Sequence, residues 1–440
     1  MSLVRVIHGD CIGAMRRLAR DGLLADSVCT DPPYHLASIV ARFGGSDAAP
    51  AQVGATGAYA RASAGFMGEE WDGGDIAFQV ETWRRVYDVM KPGAYLVAFA
   101  ATKGYHRMAC AIEDAGFEIR DMLGWLYATG FPKSHKIPTD HGVMGTALKP
   151  AIEPIVFAQK PISESSIAAN VVRWGVGAIN IDLCRIAIEA GEDFDGGGQN
   201  RNGVNVGTHH AGWRRPWMSD PEAIAAHRDR LQAGVEKARK LGRFPANVLH
   251  DGSAEVLEYF ADFGERGAVA PVGARGTDKC RNIYGSFKGN SDNGATFQGD
   301  SGTAARFFFS SKATQGERIF ECRICGAHTI GKTACGHEAE VLANGQPAIR
   351  THPTVKPLSL VRWLVELITP PGGLVLDPFA GTGTTAAAAR AAGMPSLSIE
   401  FKEAHVRDIG VRLGLDVSDI ITAEVAALPV NHGQQRDMFL

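Results

Sequence analysis

The sequence predicts an α/β protein, a doubly wound and mostly parallel sheet interrupted by a long insertion. Two observations carry this. Apolar strand-like runs alternate with segments of helical spacing from residue 3 to about 160, and the alternation returns between 358 and 413; strands that alternate with helices pair in parallel. Between the two series, clusters of Gly, Asn and Asp (GEDFDGGGQNRNGVNVG, KGNSDNGATFQGDSG) break the rhythm.

In chain order, Leu3–His8 is a short apolar strand and Ile12–Leu18 a short helix. Ser27–Thr30 is a strand that runs into Asp31-Pro32-Pro33-Tyr34. Residues 36–75 are rich in Gly, Ala and Ser and keep no period, which predicts a long loop. Phe78–Met90 has helical spacing, Ala94–Ala100 is a continuous apolar strand, and Tyr105–Ala115 is an amphipathic helix ended by Gly116. Ile119–Tyr127 and Pro154–Ala158 complete the first series of strands. The second series is helix Leu358–Ile368, strand Gly373–Leu376, helix Thr384–Ala392, strand Ser396–Ile399 and helix Ala404–Leu413.

Composition excludes several classes. With 45 Lys+Arg against 48 Asp+Glu in 440 residues and 45% hydrophobic residues, neither wholesale disorder nor a uniformly basic coat protein fits. Any nucleic-acid surface must be local. Residues 201–250 offer one, with nine Lys/Arg against four Asp/Glu interleaved with His209, His210, Trp213 and Trp217. Lys237–Arg243 extends it, although Glu236–Lys240 equally fits a solvated helix face. No run of about 18 apolar residues occurs, and the first residues read as a strand, so no membrane partner and a cytoplasmic location are expected.

Two motifs carry chemistry. In Leu374-Val-Leu-Asp377-Pro-Phe379-Ala-Gly381-Thr382-Gly383, a strand ends in a Gly-rich turn that opens a helix. Backbone N–H groups there can approach a polar ligand, although a tight turn without any ligand has the same spacing. The next strand ends in Glu400, placed to accept the hydroxyls of a ribose, which points to a nucleoside-containing cofactor. Neither a complete G-x-G-x-x-G nor a P-loop is present, which disfavours NAD and ATP. Asp31-Pro32-Pro33-Tyr34 also sits at a strand end; its carboxylate and carbonyls are acceptors suited to an amino group, and Tyr34 gives a face on which a base can stack.

Together these motifs resemble those of the S-adenosylmethionine-dependent DNA amino-methyltransferases, which methylate adenine N6 or cytosine N4. The order, Asp-Pro-Pro-Tyr first and the Gly-rich motif near the C-terminus, is similar to the permuted β group, with target recognition between them. His8-Gly9-Asp10-Cys11 resembles the family's acidic motif facing the cofactor adenine, and His352-Pro-Thr-Val-Lys356-Pro357 its motif ahead of the cofactor loop. Phe66–Asp72, Gly130–Ser134 and Lys149–Pro154 are similar to phrases common in the family. The resemblance covers about 1–160 and 345–415 and implies a seven-stranded, circularly permuted Rossmann-like methyltransferase sheet. It implies S-adenosylmethionine bound by Asp10, Cys11, Asp31, Lys356, Asp377, Phe379, Gly381, Thr382, Gly383 and Glu400, and catalysis by Asp31, Pro32, Pro33 and Tyr34.

The chemistry fits those residue types. An aromatic amine is a poor nucleophile because its lone pair is delocalised; acceptors on both N–H groups direct that pair at a sulfonium methyl. The base must leave the duplex to reach such a pocket, and the 36–75 segment fits equally a loop that closes over it and a solvated loop. Asp at position 31, where Ser is frequent in cytosine enzymes, favours adenine N6 over cytosine N4. A non-catalytic DNA-binding protein on the same scaffold is the reading from another class.

Cys322, Cys325, Cys335 and His337 have the spacing of a zinc knuckle, with His328 a competing fourth ligand. A structural Zn²⁺ is expected there. The expected organisation is thus 1–160 (catalytic half), 161–345 (target-recognition insertion, with the knuckle at 322–337), 346–420 (cofactor half) and a tail, 421–440. Double-stranded DNA is the expected partner, in a prokaryotic cell or phage; a homodimer and a restriction endonuclease partner are compatible with the sequence and not specified by it.

Overall fold

Ten strands form the main sheet of the computed structural model: β1 (Val4–His8), β2 (Ala25–Thr30), β3 (Met90–Phe99), β4 (Glu118–Leu126), β5 (Ile152–Gln159), β6 (Val248–His250), β7 (Phe309–Ser310), β8 (Val375–Asp377), β9 (Ser396–Glu400) and β10 (Ile421–Thr422). Their order is β7-β6-β4-β5-β3-β2-β8-β9-β1-β10. The seven central strands are those from β4 to β1, parallel except for β5, which runs antiparallel to β3 and β4. The expected α/β sheet is therefore present, and short strands extend both its edges. The structure describes residues 4–34, 75–128, 130, 134, 136–188, 220–264, 280–282, 285–287, 303–331, 335–342, 347–351, 355–415 and 421–422. The 36–75 loop but for Asp75, the Phe66–Asp72 phrase, Trp213–Trp217 and the tail from 423 lie outside them, as does part of Gly130–Ser134.

Nine helices are described: α1 (Cys11–Arg20), α2 (Val80–Asp88), α3 (Tyr105–Asp114), α4 (Ile167–Trp174), α5 (Pro221–Leu241), α6 (Ala254–Asp262), α7 (Leu358–Ile368), α8 (Thr384–Ala391) and α9 (Glu403–Leu413). Successive strand residues point to opposite faces of a sheet. Ile7 packs with Met15, Trp83 and Ile112 of α1, α2 and α3, whereas Val6 packs with Ala386, Val406, Ile409 and Leu413 of α8 and α9. Helices thus cover both faces, as a parallel sheet requires.

β2 is buried along its whole length although half of it is polar. Its polar atoms are paired: Lys91 Nζ lies 2.6 Å from Asp26 Oδ1, Ser27 Oγ 2.7 Å from Thr369 Oγ1, and Thr30 Oγ1 donates to Asp377 Oδ1 at 2.7 Å. The helix expected over Phe78–Met90 is shorter in the structure. A 3-10 turn at Ile76–Phe78 precedes α2, α2 ends at Asp88, and Met90 already opens β3, which carries Lys91 to Asp26.

The chain divides into two compact units. The first comprises Met1–Leu183, Asn247–Gly252 and Ser310–Leu440, and so includes the cysteine motif; the second comprises Cys184–Ala246 and Ser253–Phe309. In the second, Ile186 bridges to Arg243, and Phe260 packs on Phe308 at 5.5 Å. Lys237, Arg239 and Lys240 of α5 are exposed, but Arg243 is buried with its guanidinium 5.5 Å from the Phe307 ring, so it is not a phosphate contact. Among the described residues no helix is long and apolar enough to cross a membrane.

Candidate active site

A cavity of about 530 Å³ opens where β1, β2, β8 and β9 reach their carboxyl ends, the place where open α/β sheets bind ligands. Register explains the convergence: Val375 of β8 pairs with both Ser27 of β2 and Ser396 of β9, and His8 of β1 pairs with Glu400. Asp10, Cys11, Asp31, Pro33, Lys356, Asp377, Phe379, Gly381, Thr382 and Glu400 all line the cavity. Pro32, Tyr34 and Gly383 stand outside its lining.

The glycine-rich side is held by backbone groups. Glu400 Oε2 accepts the Gly381 N–H and Oε1 the Lys402 N–H, both at 2.8 Å, while His405 Nδ1 lies 3.4 Å from Oε1. Glu400 thus shapes the turn as well as facing the cavity, and each oxygen keeps acceptor capacity for a ligand hydroxyl. Asp377 Oδ1 accepts from Thr30 Oγ1 and, at 3.0 Å, from the Phe379 N–H; burial outweighs these bonds and pushes its carboxyl up to about 6. Asp10 caps α1, accepting the Gly13 N–H at 2.6 Å through Oδ2. Burial, seconded by Asp10, pushes the Cys11 thiol up to about 12 and keeps it neutral. Gly383 adopts φ +78 as the N-cap of α8, where a Cβ would stand 3.0 Å from Ile409 Cγ1.

The opposite side is ionic. Lys356 Nζ lies 2.8 Å from Asp31 Oδ2, 3.3 Å from Glu153 Oε1 and 2.9 Å from the Tyr34 hydroxyl. That hydroxyl is itself 2.8 Å from Asp31 Oδ1 and 2.7 Å from Glu153 Oε1. Burial alone would lower the Lys356 ammonium; Asp31 and Glu153 together outweigh it and raise the pKa. Burial raises the Glu153 carboxyl against the pull of Lys356, with Asp31 adding to the rise. The Tyr34 hydroxyl has one proton to donate between the two carboxylates. Glu153 lies within the Lys149–Pro154 phrase, which gives the residue no role of its own. Its signal is a charged residue beside a proline at the amino end of an apolar strand, which the antiparallel direction of β5 brings to the end of the sheet where β2 delivers Asp31.

The sequence profile of the N6/N4 DNA methylase family matches residues 25–410. The chain belongs to this DNA methylase family. Among curated relatives of this methylase, the type II methyltransferase M.HindIII of Haemophilus influenzae is 31% identical over 116 residues, which are 23% of this chain and 38% of the relative. The DNA adenine methyltransferase YhdJ of Escherichia coli is 41% identical over 76 residues, 17% of this chain and 25% of the relative. The chain thus spans well under half the length of these relatives in matched sequence. Among solved structures, the M1.HpyAVI–SAM complex aligns over 94% of this chain and 100% of its own with 12% identity and a TM-score of 0.37. The cytosine-N4-specific PvuII DNA methyltransferase aligns over 96% and 90%, with 12% identity and a TM-score of 0.37.

The methylase also carries a compact thiol cluster. Cys322 ends the strand Ile319–Cys322, which pairs antiparallel with His328–Ile330 and Ile349–Thr351. Gly326, at φ +69, turns the chain so that its N–H meets the Cys322 carbonyl at 2.8 Å. Donor atoms of Cys322, Cys325, Cys335 and His337 all lie within 4.8 Å of one another, which suits three thiolates and an imidazole around one tetrahedral ion. The Cys325 backbone N–H, the largest cause, lowers the Cys322 thiol to about 6. His328 is turned away from this set, with Nδ1 2.6 Å from Asp408 Oδ1.

Proposed function

We propose that the chain transfers the methyl group of S-adenosylmethionine to N6 of adenine in double-stranded DNA. The observation that carries this reading is the meeting of two motifs, far apart in sequence, at one cavity. Asp31 and the Asp377–Thr382 turn end neighbouring parallel strands, joined by the bond from Thr30 to Asp377. The donor set suits the cofactor: a side-chain-free turn at Gly381, an apolar ring at Phe379, and carboxylates at Asp10 and Glu400 for amino and hydroxyl groups. When bound, S-adenosylmethionine supplies an electrophilic methyl group on a sulfonium.

The chain's own residues prepare the amine. Asp31 accepts one N–H of a flipped adenine and a backbone carbonyl of Pro32 or Pro33 the other, so the nitrogen lone pair is freed from the ring. Lys356 Nζ pairs with Asp31 Oδ2 and holds the carboxylate in place, and the carboxylate or water takes the proton that becomes acidic as the N–C bond forms. Tyr34, held at its hydroxyl by Asp31, Glu153 and Lys356, offers its ring for stacking. The second unit, with exposed Lys237, Arg239 and Lys240, is assigned to the DNA. A cytoplasmic place in a prokaryotic or phage-infected cell follows from that substrate; neither a homodimer nor a restriction endonuclease enters the reading. Zn²⁺ in the Cys322, Cys325, Cys335 and His337 cluster completes it as a structural ion.

Transfer of tritium from labelled S-adenosylmethionine to DNA, with nucleoside digestion and mass identification, tests the reading. N6-methyladenine is the expected product. N4-methylcytosine would overturn the base and keep the mechanism, whereas cofactor binding without incorporation into any DNA would overturn the substrate.

A further inference from the structure

The thiol cluster is not an isolated ornament of the first unit. The small sheet that carries it is seated on α9, and α9 supports the cofactor loop from behind. Two links join the sheet to the helix. His328, on the strand paired with Ile319–Cys322, places Nδ1 2.6 Å from Asp408 Oδ1, and both side chains are only 10% exposed. Just ahead of that sheet, the Glu317 carbonyl accepts from Arg412 Nη2 at 3.0 Å.

The same face of the helix then reaches the cavity. Arg412, buried, donates through Nε to the Thr382 carbonyl at 2.7 Å, and Thr382 lines the cavity. His405, one turn before Asp408, lies 3.4 Å from Glu400 Oε1, whose other oxygen holds the Gly381 N–H. Residues at spacings of three and four share a helix face, so His405, Asp408 and Arg412 form one continuous polar ridge between the sheet and the loop.

We propose that a zinc ion held by Cys322, Cys325, Cys335 and His337 sets the affinity of the cofactor pocket through this ridge. The proposal rests on the zinc reading given above. With the metal bound, the turn from Cys322 to Cys325 and the chain at 335–337 are tied to one point, which fixes the strand that presents His328 to Asp408. Without it, that tie is gone, the His328–Asp408 contact loosens, and α9 no longer holds Thr382 and Glu400 at the geometry the cofactor needs.

Metal content by mass spectrometry and S-adenosylmethionine binding by calorimetry, on the full chain purified with zinc, test this together. One zinc per chain is expected. Cys325→Ser should lose the ion and weaken cofactor Kd by about tenfold or more, within the range usual for coupling between two binding sites. Asp408→Asn should keep the zinc and weaken Kd to a similar degree, which a purely local folding role of the metal would not produce. Chelation of the wild-type protein should raise Kd, and added Zn²⁺ should restore it, so the outcome does not hang on how a variant folds. Zinc removal that leaves Kd unchanged overturns the coupling while leaving the zinc assignment standing. Wild-type protein without zinc overturns both.

Discussion

The glycine-rich loop and the Asp31 cluster border one cavity and hold their polar groups by opposite means. On the loop the geometry is that of the backbone: Gly381 and Gly383 take φ of +52 and +78, and Glu400 clamps two main-chain N–H groups. Around Asp31, two carboxylates, an ammonium and a phenol stand within hydrogen-bond distance of one another, so each charge depends on its neighbours. Removing one partner from such a set leaves the rest uncompensated. In the proposed reading the loop is a shaped surface for binding, and the cluster is an electrostatic device for chemistry.

The largest expected effect separates those roles directly. Asp31→Ala should reduce kcat by about 10³-fold, since it removes the acceptor for the target amine. Asp31 also lines the cavity, so cofactor Kd should shift, but by about tenfold at most, because the loop is untouched. Equal losses in kcat and in cofactor affinity would break the division between the two sides.

Asp377 sharpens the comparison, because it belongs to the loop but bonds to the strand that bears Asp31. Burial raises its carboxyl to about 6, so the folded state keeps its proton to higher pH than the unfolded chain does. The stabilising contribution of the protonated form is complete below the ordinary carboxylate range and is lost as the pH rises to about 6. Charging it in the fold costs on the order of 3 kcal/mol by neutral pH. Asp377→Asn should therefore gain on wild type, by about that amount, between pH 3.5 and pH 7 in urea unfolding. Parallel curves for the two proteins would show that the carboxyl is not strained by burial.

The loop side was legible in the sequence, and the cluster only in part. Buried parallel strands read as continuous apolar runs ending in a turn, so Val375–Asp377 with the glycines after it announced both strand and site. Asp31 and Tyr34 are contiguous and were equally plain. Glu153 and Lys356 join Tyr34 from 119 and 322 residues away, and only the antiparallel register of β5 against β3, together with the entry to α7, brings them there. No local period encodes such a meeting. β6 and β7, of three and two residues, are likewise too short for a period to show.

Glu153→Gln probes the part of the cluster that the motif did not reveal. Asp31 and Glu153 both raise the Lys356 pKa against burial, so loss of one carboxylate lowers it. The alkaline limb of the kcat profile should move down by about one pH unit, with kcat reduced roughly tenfold at its optimum. An unmoved limb would mean that Lys356 does not limit turnover at high pH.

Gly383→Ala carries the smallest effect and tests the loop alone. The residue stands outside the cavity lining, and its φ of +78 is a conformation that a side chain disfavours. The added Cβ would also meet Ile409 Cγ1 at 3.0 Å, and Ile409 lies in the packed core on that face of the sheet. Conformational strain and crowding together should reduce stability by about 1–2 kcal/mol in urea unfolding. Turnover with saturating cofactor should remain within about twofold of wild type, because Asp31, Glu153 and Lys356 keep their places. A kcat loss as deep as that of Asp31→Ala would mean that the shape of the loop and the chemistry of the cluster are one device, whereas loss of stability alone marks the glycine as a packing requirement of the α8 turn.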